Sequence, residues 1–222
     1  MSRAPDTVVL LSGGLDSAAN LALAHAQGSS IAALTVNYGQ RAWPSERRAA
    51  QGLCADYGAD WREVDLTFLG SLGGSALTDR SREVPELSRD TLDTMSVITR
   101  TADAVWVPNR NGVLIHLACA WAEALGAPRV LVGFNREEAT TFPDNSRAFM
   151  ESLNASLEFS TRGKVRVESL TVDLNKSEIV AELRALARPF HFEKVWSCYF
   201  SGESACGKCE SCQRFSRAVG SS

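Results

Sequence analysis

Thr7-Val8-Val9-Leu10-Leu11-Ser12-Gly13-Gly14-Leu15-Asp16-Ser17 is the stretch whose reading decides the fold. A short apolar, β-branched run is what a strand buried on both faces requires. It breaks at a glycine pair, and Leu15 to Gln27 then carries a helical pattern. Strand, glycine turn and helix in that order have a physical use. Two glycines let the main chain turn sharply and approach a polyanion, and a helix N-terminus offers unpaired N–H groups and partial positive charge. Ser12 and Ser17 add hydroxyl donors, and Asp16 can hold a magnesium ion that bridges phosphates. The spacing is neither the Walker loop nor G-x-G-x-x-G. It therefore points to phosphate binding of another kind and away from a nicotinamide or flavin cofactor.

Working outward, Ile31 to Asn37 reads as a second strand and Trp61 to Leu66 as a third. Between them Pro44 suits a helix N1 position, and the helix runs to Tyr57 before Gly58 stops it. Asn111 to Leu125 is a periodic helix ended by Gly126, and Arg129 to Gly133 is another buried strand. Asp144 to Ser160 reads as a helix with Asp144 as a possible N-cap, Val165 to Val172 as a strand, and Ser177 to Ala187 as a helix ending before Pro189. Strands alternating with helices predict an α/β domain with a mainly parallel sheet. Gly70 to Asp103 breaks this rhythm. It is rich in Ser, Thr, Gly, Asp and Arg, and its length predicts a functional loop or a lid. There is no repeat and no linker, so residues 1–222 read as one domain that includes a metal-binding segment at 196–215.

Composition narrows the classes. A chain of 222 residues, 45% apolar and 22% charged, is long enough to bury a sizeable core. A net charge of −3 argues against the broad basic surface that tracks a nucleic-acid backbone, so no direct nucleic-acid contact is expected. The polar start Met1 to Thr7 has no signal-peptide pattern, and no apolar run is long enough to span a bilayer. The cytoplasm is the expected compartment.

Four of the six cysteines form the array Cys198-x7-Cys206-x2-Cys209-x2-Cys212. Two-residue gaps let thiolates converge on one ion, and Gly207 eases the turn. Four thiolates suit a tetrahedral Zn2+ at about 2.3 Å, a closed and therefore structural site that fastens a tail too small to bury its own core. An iron–sulfur cluster is the competing occupant. Cys54 and Cys119 lie in apolar, helix-like surroundings and read as core. His25, His116 and His191 have no nucleophile or second ligand at a telling spacing and read as structural.

The loop Ser12 to Ser17 resembles that of the PP-loop ATP pyrophosphatases. In that superfamily the loop grips the pyrophosphate of ATP while a substrate oxygen attacks the α-phosphorus. Over nearly its whole length the chain is similar to the QueC family of 7-cyano-7-deazaguanine synthases. The likeness is carried by Leu11 to Ser17, Val36-Asn37-Tyr38-Gly39-Gln40-Arg41, Val107-Pro108-Asn109-Arg110-Asn111, Asn175-Lys176-Ser177-Glu178-Ile179, Trp196-Ser197-Cys198-Tyr199 and Gly207-Lys208-Cys209-Glu210-Ser211-Cys212. It implies a Rossmann-like (adenine nucleotide alpha hydrolase-like) parallel sheet with a C-terminal zinc knuckle. It also implies ATP, Mg2+ and Zn2+ as cofactors, 7-carboxy-7-deazaguanine and ammonia as substrates, and a homodimer. The acid would be adenylated and aminated to the amide, and the amide adenylated again and dehydrated to the nitrile, a precursor of queuosine and archaeosine.

On this reading Leu11, Ser12, Gly13, Gly14, Leu15, Asp16 and Ser17, with Arg110 and Asn111, contact ATP. Asp16, Ser17 and Lys176 are the catalytic candidates, Lys176 being the cation for the phosphates. Tyr38, Gln40, Phe142 and Asp144 are candidates for the deazaguanine acid, and Cys198, Cys206, Cys209 and Cys212 for the metal. One segment departs from the family. Where much of it has an acidic residue and then aromatic-Ser-Gly-Tyr-Pro-Asp-Cys-Arg, this chain has Phe134-Asn135-Arg136-Glu137-Glu138-Ala139-Thr140-Thr141-Phe142-Pro143-Asp144-Asn145-Ser146-Arg147. That change leaves open transfer of the activated acid to a different amine. A PP-loop tRNA sulfurtransferase is a further alternative, disfavoured by the acidic charge balance.

Overall fold

The computed structural model describes residues 4–220. In chain order it begins β1 (Thr7–Leu10), α1 (Leu15–Ala26), β2 (Ile31–Asn37), α2 (Trp43–Tyr57), β3 (Asp60–Asp65) and α3 (Thr67–Ser71). It continues with α4 (Met95–Val105), α5 (Arg110–Leu125), β4 (Arg129–Leu131), α6 (Arg136–Ala139) and α7 (Arg147–Ser160). β5 (Arg166–Glu168), α8 (Lys176–Ala185) and α9 (Glu210–Val219) complete it. The expected domain ends, residues 1–3 and 221–222, lie outside the described residues.

The sheet is parallel throughout, in the order β3-β2-β1-β4-β5. β1 sits in the middle, with Val9 opposite Ala33 on one side and Leu131 on the other. Its residues alternate between two cores, as the strand period demands. Val8, Leu34 and Val130 pack with Ile115 and Ala118 of α5 and Leu153 and Leu157 of α7. Val9, Ala33 and Leu131 pack with Leu21 of α1, Leu53 of α2 and Ile179 and Leu183 of α8. Cys119 and Cys54 fall in these two cores respectively, as expected. His25 rests edge-on against the Tyr57 ring, and His116 is bonded to the Gly112 carbonyl.

This topology fixes where a ligand goes. β1 is followed on one side of the sheet by β2 and flanked on the other by β4, so the loops leaving β1 and β4 diverge. A crevice opens at the carboxyl ends of these strands, the usual binding position in open α/β sheets.

The structure corrects several boundaries. The helix expected from Asp144 starts at Arg147 and is capped by Ser146, whose hydroxyl accepts from Phe149 N. Pro143–Asn145 is a single 3-10 turn, so Asp144 is not that helix's N-cap. The strand expected over Val165 to Val172 pairs only across Arg166–Glu168. The stretch from Gly70 to Asp103 is well packed, with Ala76, Leu77, Val84, Leu87, Leu92 and Ile98 buried. Most of α4 falls inside it, and Ile98, Thr101, Ala102 and Val105 form that helix's buried face. The segment also docks on the cysteine-rich end, with Glu86 bridged to Cys209 and Leu87 N donating to Lys208 O. No helix among the described residues is long and apolar enough to cross a membrane.

Asn20, wholly buried on α1, locks the crevice floor. Its amide donates to Asp16 O and Thr171 Oγ1, both at 2.9 Å, and its Oδ1 accepts from Leu170 N at 2.8 Å. Thr171 Oγ1 in turn donates to Phe134 O. Asn20→Ala leaves the Leu170 amide without its acceptor inside the protein. We expect a loss of about 1–3 kcal/mol, read as a lower urea midpoint with an unchanged denaturant slope.

Candidate active site

The crevice is a cavity of ≈ 270 Å³. The turn leaving β1 forms its floor. Gly13 has φ +85, where a side chain is strained, and a Cβ there would lie 2.8 Å from Glu46 O and 2.9 Å from Ala49 Cβ of α2. Gly13 therefore lets the turn nest against α2. It is not among the residues lining the cavity, whereas Leu11, Ser12, Gly14, Leu15, Asp16 and Ser17 are. Gly133, just past β4, closes the turn from the other side. A Cβ on it would fall 2.6 Å from Ser17 N and 2.9 Å from the Asp16 carbonyl carbon.

The two serines hold the turn's shape. Ser12 N and Ser12 Oγ lie 3.2 and 3.1 Å from Ser17 Oγ, Gly14 N donates to Ser12 Oγ, and Ser17 Oγ donates to Gly14 O. No side chain caps α1 at Gly14, which leaves its first turn suited to an anion. Trp196 N donates to Gly13 O at 2.9 Å, tying the cysteine-rich end to the turn.

Lys176 enters at the start of α8, which is fixed by a capping box between Asn175 and Glu178. Its Nζ lies 2.6 Å from Asp16 Oδ2 and 2.7 Å from Glu138 Oε1, and its side chain is only 9% exposed. Burial opposes its charge, but Asp16 and Glu138 hold it well above the ordinary lysine range. Burial, with Glu138 nearby, pushes Asp16 up to about 6 against the opposing pull of Lys176. Burial also raises Glu138, but Lys176 in contact outweighs it and leaves that acid below its usual value. Asp16 Oδ1 is buried with no protein partner.

A second polar corner lies between β2, α2 and α5. Arg110 Nη1 approaches Tyr38 Oη at 3.4 Å and its guanidinium lies 5.6 Å from the centre of the Tyr38 ring. Asn111 Nδ2 donates to Asp144 O at 3.3 Å. Asp144 Oδ1 is buried without a partner, and burial raises that carboxyl despite Arg110. Phe142 lines the same cavity. Gln40 does too, but its amide is committed: Nε2 donates to Val36 O and Glu46 Oε2, and Oε1 accepts from Tyr38 N.

Thus every sequence-chosen residue for ATP, catalysis and substrate except Gly13 borders one cavity. The pattern missed Glu46, Glu138, Tyr199, Glu210 and Arg214, which border it as well. Glu138 lies in the segment that departs from the family motif. Glu46 and Glu210 sit in helix first turns, where acidic residues ordinarily face solvent.

Beyond this wall the Sγ atoms of Cys198, Cys206, Cys209 and Cys212 all lie within 4.8 Å of one another. Phe200 N and Cys206 N point at Cys198 Sγ, and Lys208 N and Cys209 N at Cys206 Sγ, donors suited to thiolates. Ala76, Val84, Trp196, Tyr199 and Phe200 pack around the cluster. This arrangement can hold a metal ion.

Residues 6–221 match the family described as Queuosine biosynthesis protein QueC. The chain belongs to the QueC family. Among similar proteins, a 7-cyano-7-deazaguanine synthase from Pelotomaculum thermopropionicum is 47% identical over 213 residues, covering 96% of each chain. One from the archaeon Methanosarcina mazei is 43% identical over 214 residues, covering 95% of this chain and 92% of the relative. The departing segment 134–147 therefore lies within a full-length family likeness.

Glu46 gives a pH test of the site's electrostatics. Burial pushes it up to about 7 from an ordinary value near 4.5, against the Gln40 hydrogen bond and Arg110. A carboxyl raised in the folded state binds its proton more tightly there than in the unfolded chain. Its contribution is fully present below the unfolded value and is lost as pH rises through the folded one. Between pH about 4.5 and 7 it lowers stability as pH rises. Glu46→Gln should flatten this fall, measured as the difference in denaturant midpoint between variant and wild type across that window.

Proposed function

We propose that this chain converts 7-carboxy-7-deazaguanine and ammonia to 7-cyano-7-deazaguanine in two ATP-dependent steps. The observation that carries the reading is one cavity shared by a phosphate-type turn, the buried Lys176 and the Tyr38–Arg110–Asp144 corner, within a QueC chain. A carboxylate is a poor acyl donor, and adenylation replaces a poor leaving group by a good one. In the first step a carboxylate oxygen attacks the α-phosphorus of ATP and pyrophosphate leaves. Ammonia then forms the C–N bond, AMP departs with the bonding pair, and a proton is lost to give the amide. In the second step the amide oxygen attacks a second ATP. Loss of AMP and the remaining amide protons leaves the nitrile.

The protein's part in this is positioning and charge. The α1 N-terminus with Ser12 and Ser17 cradles the pyrophosphate, and Lys176 moves from its carboxylates onto the departing phosphates. Tyr38, Gln40, Phe142 and Asp144 orient the deazaguanine acid, and Arg110 and Asn111 contact ATP. Five carboxylates border the cavity against three cations, Arg110, Lys176 and Arg214, so bare ATP would meet net negative charge. The unpartnered Asp16 Oδ1, with Glu138 beside it, fits a hard divalent cation. Magnesium held there by Asp16 and Glu138 would supply positive charge against the triphosphate. The four clustered thiols fit a tetrahedral structural Zn2+. On this proposal residues 1–222 act as one domain, and the enzyme works in the cytoplasm as a homodimer without direct nucleic-acid contact.

Purified protein with ATP, magnesium, ammonium and 7-carboxy-7-deazaguanine should release AMP, pyrophosphate and the nitrile, followed by mass spectrometry. AMP with amide but no nitrile would redirect the reading to another amine acceptor. Asp16→Ala and Lys176→Ala should each reduce AMP release by about 10²-fold or more, and retained activity would remove them from the site. Elemental analysis should return about one zinc per chain, absent from Cys209→Ser. Iron in its place would overturn the zinc assignment.

A further inference from the structure

Glu210 stands between two of the clustered cysteines, one residue after Cys209, yet it is 4% exposed and borders the cavity. One side of its carboxylate is satisfied: Oε1 accepts from Arg214 Nε at 2.9 Å. Oε2 is buried with no hydrogen-bond partner in the protein. Leaving such a charged acceptor unmet is costly. Arg214 leaves it unmet, its Nη1 and Nη2 donating to Glu137 Oε1 and Leu92 O. The neighbouring Arg217 is likewise committed, to Glu137 and Asp93. The open acceptor therefore belongs to something that enters the cavity.

Resting on the proposed function, we propose that Glu210 is the ammonium-binding residue, holding the nitrogen substrate at the wall built by the cysteine cluster. The missing partner is a donor of one positive charge, small enough for a corner already flanked by Arg214. Tyr199 and Ser211 border the cavity on this same wall and bring oxygen acceptors for further N–H groups. A divalent magnesium ion is better served at Asp16 and Glu138, where the phosphates lie and hard oxygens converge. The ring N–H donors of a deazaguanine have their own unpartnered acid, Asp144 Oδ1, under the influence of Arg110. Glu210 thus supplies what the other two orphaned carboxylates do not, a place for the third reactant in the same cavity.

Glu210→Gln keeps an oxygen for Arg214 and removes the charge. We expect the KM for ammonium to rise about tenfold or more, with the KM values for the acid and for ATP moving by less than about twofold. Zinc content should be unchanged, and Glu210→Asp should recover part of the loss. An unmoved ammonium KM overturns the proposal. So does a rise confined to the KM for the acid, which would make Glu210 a ring-recognition group. Should Glu210→Gln lose zinc or fail to fold, the wild-type enzyme carries the test: methylammonium must compete with ammonium and not with the acid, and absence of that competition overturns the assignment. Wild-type protein that releases no AMP from the acid and ATP sinks the proposed function. AMP release with an unmoved ammonium KM sinks the Glu210 assignment alone.

Discussion

The turn between β1 and α1 is wedged between two other parts of the chain, and the site depends on that wedge. On one side Gly13 lies against the Glu46 carbonyl and Ala49, and on the other Gly133 lies against the amide of Ser17. Neither approach has room for a β-carbon. The floor of the cavity is therefore set by contacts between backbones, which have few soft degrees of freedom. Asn20 and Thr171 extend the same fixity to the loop leading into α8, and so determine where Lys176 stands.

On this rigid floor the site concentrates charge that would be expensive elsewhere. Lys176 is nearly buried and survives as a cation because two carboxylates meet it within 2.7 Å. Three acids that border the cavity also keep a buried oxygen with no hydrogen-bond partner, Asp16, Asp144 and Glu210. A fold that needed only stability would satisfy these oxygens or replace them. Three such acids bordering one cavity suit a site that takes in ligands with donors of their own.

Much of this was legible in the sequence. The β-branched run before Ser12 gave β1, the glycine and proline punctuation gave α2 and α5, and the motif residues converge on one cavity. What escaped has physical reasons. Helix α9 does carry an apolar helical spacing, Cys212, Phe215, Ala218 and Val219, but its first turn lies inside the cysteine array and reads as part of the metal-binding segment. Helix α4 does show the helical spacing Ile98, Thr101, Ala102, Val105, but two of the four are weakly apolar and no capping side chain marks its start. Ser146 took the cap that Asp144 offered because the Pro143 turn spends one more half-turn of chain before the helix begins. Glu46, Glu138 and Glu210 are invisible as site residues until tertiary packing buries them, since a lone acid in a helical first turn looks like a solvated one.

The hydrogen bond from Trp196 N to Gly13 O joins places far apart in the chain. Two segments remote in sequence thus share one contact, and the stretch leading into the cysteine cluster holds the turn from one side. The main-chain shape of the turn is coupled to the segment that carries Cys198, two residues beyond Trp196. A disturbance of the four cysteines therefore has a short path through Trp196 to the floor of the cavity, which makes that cluster a support of the cavity as well as of the tail.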